Sequence, residues 1–76
     1  MSNSDTPVLS LTFGDFIRTA RLEKNLTQNE VATVAKVEQA YLSKVERGLR
    51  DPSLSIAIRI CDALNLDIND FVRKCT

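Results

Sequence analysis

Apolar positions recur at helical spacing in five stretches of the chain, each bounded by residues that cap a helix or stop one. Phe13, Ile17 and Ala20 fall at i, i+4 and i+7 behind Thr12-Phe13-Gly14-Asp15, a capping-box pattern, and predict a helix over 13–24. Thr27 with Glu30 three residues later starts a second helix, over 28–35, whose apolar side is Val31, Ala32 and Ala35. A third, over 39–47, turns Leu42 and Val45 inward and stops at Gly48. Asp51-Pro52-Ser53 blocks continuation and caps a fourth over 54–64, with Leu54, Ala57, Ile58, Cys61, Ala63 and Leu64 expected mostly in the core. Asp67 and Asp70 open a short fifth over 68–73 that carries Ile68, Phe71 and Val72. No stretch alternates with period two and no segment repeats. The expectation is one compact all-α, five-helix domain over 12–73, between an N-terminal tail at 1–11 and a C-terminal tail at 74–76.

Residues 27–48 carry the most information. With Gln39 at zero on a helical wheel, Ser43 falls at about 40°, Arg47 at about 80°, Ala40 at about 100° and Lys44 at about 140°. Leu42 and Val45 lie opposite, at about 300° and 240°, and Tyr41 sits at the edge at about 200°. A helix that enters the major groove needs this division: an apolar side held by the domain and an outer side of donors, acceptors and small residues. An ordinary amphipathic surface helix shows the same division. The preceding helix adds to the pattern, because Ala32 is small enough for two helices to cross closely, as they do in a helix-turn-helix. The bend at Ala35, Lys36 and Val37 is where such a motif favours glycine. Lys36 must either take the left-handed conformation, at roughly 1 kcal/mol, or widen the turn.

With these residues in place, the chain resembles the Xre-type, Cro-like repressors with the lambda-repressor-like helix-turn-helix fold. The match runs through Arg21, Leu26-Thr27-Gln28, Val31-Ala32, Val37, Leu42, Val45-Glu46-Arg47-Gly48, Pro52-Ser53, Ala63-Leu64 and Phe71, and spans residues 12 to 73. Asn25, Lys36 and Asn65 stand where glycine is usual or common, and Glu38 stands where Ser or Thr usually caps the recognition helix. The resemblance implies a transcriptional regulator that binds double-stranded DNA. It also implies an ion pair between Arg21 and Glu46, fixing the recognition helix to the scaffold, and a phosphate contact by Gln28.

The sum of ten bases and ten acids is zero, which speaks against a nucleic-acid partner until the chain is divided. Residues 18–50 hold seven bases against four acids, a local +3 that coincides with the helix-turn-helix. A locally positive face attracts phosphate while acid elsewhere limits non-specific binding. No apolar run approaches a membrane span and the start does not read as a secretory signal, so a cytoplasmic protein is expected. With no histidine and no close cysteine pair, neither a metal nor a cofactor is expected. Cys61 reads as a buried thiol and Cys75 as part of the tail, with a disulfide between them left open. No nucleophile with its base and no phosphate loop is visible, so the protein is not expected to be an enzyme.

The candidate base contacts are Gln39, Ala40, Ser43, Lys44 and Arg47. Gln39 has the bidentate chemistry for adenine, Lys44 donates to guanine O6 and N7, and Ala40 meets a thymine methyl. Ser43 and Arg47 reach bases or phosphates. Each of the five also reads as a solvated side chain. Candidate phosphate contacts are Gln28, Thr27, Arg21, Lys36, Tyr41 and Arg50. Glu38 reads better as a favourable charge at a helix N-terminus than as an acceptor for cytosine.

One recognition helix touches few base pairs, so a homodimer on a palindromic operator is expected. Its candidate surface is Ile56, Leu66, Ile68, Phe71 and Val72, which core packing also explains in part. No segment resembles a ligand-sensing domain and no small-molecule ligand is expected. Restriction–modification controllers, phage-type repressors and antitoxins all fit. The competing reading is an antitoxin or adaptor whose main partner is another protein.

Overall fold

The computed structural model describes residues 12–74, and among them every regular element is helical. The order is α1 (Phe13–Glu23), α2 (Gln28–Ala35), α3 (Gln39–Glu46), α4 (Leu54–Ala63) and α5 (Ile68–Lys74). Residues 1–11 and 75–76, and with them any pairing of Cys75, lie outside the described residues.

Helix starts follow local chemistry. The Thr12 hydroxyl accepts from the Asp15 N–H at 3.1 Å and the Ser53 hydroxyl from the Ile56 N–H at 3.3 Å. At Thr27 the capping box is reciprocal: its hydroxyl accepts from the Glu30 N–H at 3.1 Å, and its own N–H donates to the Glu30 carboxylate at 2.7 Å. Glu38 occupies the position before α3 and makes no side-chain cap.

The helix ends share one geometry. Asn25, Lys36, Gly48 and Asn65 all take positive φ, at 58°, 61°, 77° and 56°. In each case the next residue's N–H reaches back five positions: Leu26 to Arg21, Val37 to Ala32, Leu49 to Lys44 and Leu66 to Cys61. This is the Schellman closure, which satisfies the last carbonyls of a helix and turns the chain sharply. Lys36 therefore adopts the left-handed conformation and the turn before α3 stays tight.

Phe16, Ile17, Ala20, Val31, Ala32, Ala35, Leu42, Val45, Ile60, Cys61 and Leu64 form the core. On α4 the expected inner face is displaced: Ala57, Ile60, Cys61 and Leu64 are buried, while Leu54 and Ile58 are exposed. The buried set obeys i, i+3, i+4, i+7, and it leaves Leu54 and Ile58 about 60° and 100° to one side. Phe71 closes the bottom of the core, its ring 5.5 Å from Phe13 and 5.4 Å from Phe16.

Candidate nucleic-acid interface

α1 and α2 together build the seat of α3, and α1 supplies its closest approach. Gly14 lies so close to the end of α3 that a Cβ placed on it would stand 2.1 Å from the Val45 carbonyl oxygen. Two turns along the same side of α1, Arg21 donates through Nε to Glu46 Oε2 at 2.8 Å and through Nη2 to Oε1 at 2.9 Å. Its Nη1 donates to the Leu26 carbonyl at 2.9 Å. Gln28 Nε2 completes the group, donating to Glu46 Oε1 at 3.1 Å. Arg21 and Glu46 are both buried, and among the described residues no buried side-chain polar atom is left unpaired. The hydrogen bonds from Arg21 to the Glu46 carboxylate raise the Arg21 pKa further, so the charge is permanent.

The ion pair expected of Arg21 is formed, and it uses three of the five guanidinium N–H groups; the second hydrogens of Nη1 and Nη2 remain, on a side chain that is largely buried. Arg18, one turn earlier on α1, is exposed. It lines a polar groove with Asp15, Arg21, Gln28, Ser43, Glu46 and Arg47. Arg18 is not among the candidates the sequence offers, because nothing in its neighbours distinguishes it from any solvated base on a helix.

The α3 face is arranged as the wheel predicts. Leu42 and Val45 are buried, Ser43 is half-buried, and Gln39, Ala40, Lys44 and Arg47 are exposed. Arg47 Nε also reaches the Ser43 carbonyl at 3.4 Å. Beyond the end of α3, the Arg50 guanidinium stacks 5.7 Å from the centre of the Tyr41 ring, bringing two candidate phosphate contacts together. The Thr27 hydroxyl oxygen is used by the capping box, but its O–H proton remains available. Gln28 keeps its second amide hydrogen, and as the first helical residue of α2 its backbone N–H has no intrahelical partner. The Lys36 side chain is exposed at the turn.

The helix-turn-helix family model, HTH_3, matches residues 17–71. The chain belongs to this helix-turn-helix family. It is 41% identical over 56 residues to the transcriptional regulator ClgR of Mycobacterium tuberculosis, a match covering 74% of this chain and 50% of ClgR. The chain thus corresponds to about half the length of that relative. It is 34% identical over 65 residues to the control protein C.BamHI of Bacillus amyloliquefaciens, covering 84% of this chain and 80% of that protein. The crystal structure of the restriction–modification controller protein C.AhdI from Aeromonas hydrophila superposes with a TM-score of 0.75 at 30% identity, covering 78% of this chain and 89% of that one. These relatives are regulators of transcription or controllers of restriction–modification, and this helix-turn-helix chain has their Xre-like five-helix fold.

Exposed apolar side chains lie at Leu22, Val34 and Leu49 as well as on α4 and α5. Ile56, Leu66, Ile68 and Phe71 are half-buried against the domain's own core, whereas Val72 is 51% exposed, with Leu54 at 69% and Ile58 at 40%. Ile58, Leu66 and Ile68 line one shallow groove. Cys61 is a buried free thiol whose pKa is pushed up to about 11 by burial, with Asp62 and Asp67 adding to the shift. Among the described residues no helix is long and apolar enough to cross a membrane.

Proposed function

We propose that the chain is a sequence-specific regulator of transcription that binds double-stranded DNA as a homodimer, with α3 in the major groove of each half-site. The observation that carries this is the mounting of α3. Its outer face of Gln39, Ala40, Ser43, Lys44 and Arg47 is polar or small, and its inner face is locked to α1 by the buried Arg21–Glu46 pair. Gln39 reads adenine, Lys44 reads guanine and Ala40 contacts a thymine methyl, while Ser43 and Arg47 bond whichever base or phosphate lies alongside. Gln28, Thr27 and Arg18 meet the backbone on one side of the groove, and Tyr41, Arg50 and Lys36 serve it further along.

Pairing of two copies through Leu54, Ile58 and Val72, continued by the half-buried Ile56, Leu66, Ile68 and Phe71, would cover the apolar surface of α4 and α5. The half-site centres would then lie about 34 Å apart or a multiple of it. Selection of bound sequences from a random DNA pool at physiological ionic strength tests the reading. Enrichment of a palindrome supports it, and failure to enrich any motif overturns it. If a motif emerges but Gln39→Ala and Lys44→Ala leave its binding unchanged, α3 is not the reader and a protein partner for that face becomes the better account.

A further inference from the structure

Arg59 lies on α4 with its side chain exposed, yet its guanidinium is committed to the far end of α2. Its Nε donates to the Ala35 carbonyl at 3.0 Å and its Nη2 to the Lys36 carbonyl at 2.6 Å. These acceptors are the last residue of α2 and the left-handed residue that follows it. The last turn of α2 contains no basic residue, and Arg59 brings a guanidinium from a distant part of the chain to the partial negative charge at that helix end, beside the capping Lys36. The Lys36 carbonyl belongs to the peptide that leads into Val37, and its direction is set by the ψ angle of Lys36. A donor anchored on α4 therefore holds the dihedral that points the chain out of α2 and into α3. Lys36 is also where external support matters most, because φ of 61° is strained for a residue with a Cβ.

We propose that Arg59 is a positioning residue for DNA reading, locking the α2–α3 turn so that the direction of α3 depends on α4 as well as on the turn itself. The proposal rests on α3 being the helix that reads DNA. A guanidinium suits the task because its planar fork spans two neighbouring carbonyls, whereas an ammonium is a single point of charge.

The test uses the full chain and an operator selected with the wild-type protein. Affinities for that operator and for random-sequence duplex are measured where circular dichroism shows each variant fully folded. Arg59→Ala should lower operator affinity by at least about fivefold while affecting random duplex much less, so that the ratio of the two falls. Loss of one positive charge acts on both duplexes alike and does not move the ratio. Arg59→Lys should fall between the two proteins, and it carries the comparison if the alanine variant does not fold. Lys36→Gly in the Arg59→Ala background should restore part of the ratio, since glycine takes positive φ without a steric cost. An unchanged ratio in folded Arg59→Ala, whatever its melting temperature, overturns the proposal. Hydrogen exchange at the Val37 amide, which bonds the Ala32 carbonyl at 3.0 Å, reports on the turn without DNA. If the wild-type protein selects no operator, the DNA reading has failed by itself. Faster exchange in Arg59→Ala then still supports the lock, and unchanged exchange overturns it.

Discussion

Arg21 and Glu46 are 25 residues apart in sequence and share two hydrogen bonds, of 2.8 and 2.9 Å, in the interior between α1 and the end of α3. The pair fixes α3 by geometry more than by raw attraction. Taking both charges out of water offsets much of their mutual Coulomb energy, but a planar guanidinium on a carboxylate admits one orientation.

Removing one partner should therefore be costly. Arg21→Ala or Glu46→Ala leaves an uncompensated buried charge and is expected to lower the unfolding free energy by about 3 kcal/mol in urea titrations. Stability should fall before sequence preference changes, and any loss of preference in the fraction that stays folded follows from a loosened α3 and not from a lost base contact, because neither group faces outward.

Gly14 and Gly48 should respond to alanine for different reasons. In a helix interior Gly→Ala ordinarily gains up to about 1 kcal/mol, but at Gly14 the new methyl would meet the Val45 carbonyl at 2.1 Å. The expected result is a loss of about 1–3 kcal/mol as α1 and α3 are forced apart. At Gly48 the space is open but φ is 77°, so Gly48→Ala should cost roughly 1 kcal/mol from the backbone alone. Denaturant titrations of the two variants separate the clash from the conformational cost.

DNA contacts divide by their effect on specificity. Lys44→Ala should relax preference at one base-pair position, by about 1–3 kcal/mol, while Arg18→Ala and Gln28→Ala weaken all sequences alike. Arg18→Ala should also reduce the slope of log affinity against log salt by roughly one unit, read from binding isotherms at several salt concentrations. An unchanged slope would take Arg18 out of the backbone contacts.

Cys61 links stability to alkaline pH. Its thiol is neutral when protonated, and folding raises its pKa from an ordinary 9.0 to about 11. A raised folded value means the contribution is present below the unfolded pKa and lost as pH climbs through the 9.0-to-11 window. Wild-type protein should lose up to roughly 3 kcal/mol more stability across that window than Cys61→Ala, in which no thiol titrates at that site. Equal losses in both proteins would refute the linkage.

Much of the helix layout was legible because its signals are local. Thr27 with Glu30, Ser53 after a proline, and residues able to take positive φ at 25, 48 and 65 act within a few positions, so reading neighbours suffices. Lys36 was legible as a problem but not as a solution, since the donors that support its left-handed turn come from Arg59 on another helix. Gly14 drew no attention because it lies inside a capping-box pattern that already accounts for its neighbours, and its contact with the Val45 carbonyl is 31 residues away in sequence.

The sequence by itself determined five amphipathic helices, their caps, and a third helix whose outer face is chemically fit to read bases. These depend on periodicity and short-range hydrogen bonding, which a chain carries in linear order. Only the tertiary structure decided that Arg18 faces out, that Leu54 and Ile58 leave the core, and that Arg59 reaches from α4 to the carbonyls of the α2–α3 turn. Each of those depends on how one helix rotates and settles against another. That rotation is fixed by which side chains close-pack across the interface, a property of pairs of helices that no single stretch of sequence encodes.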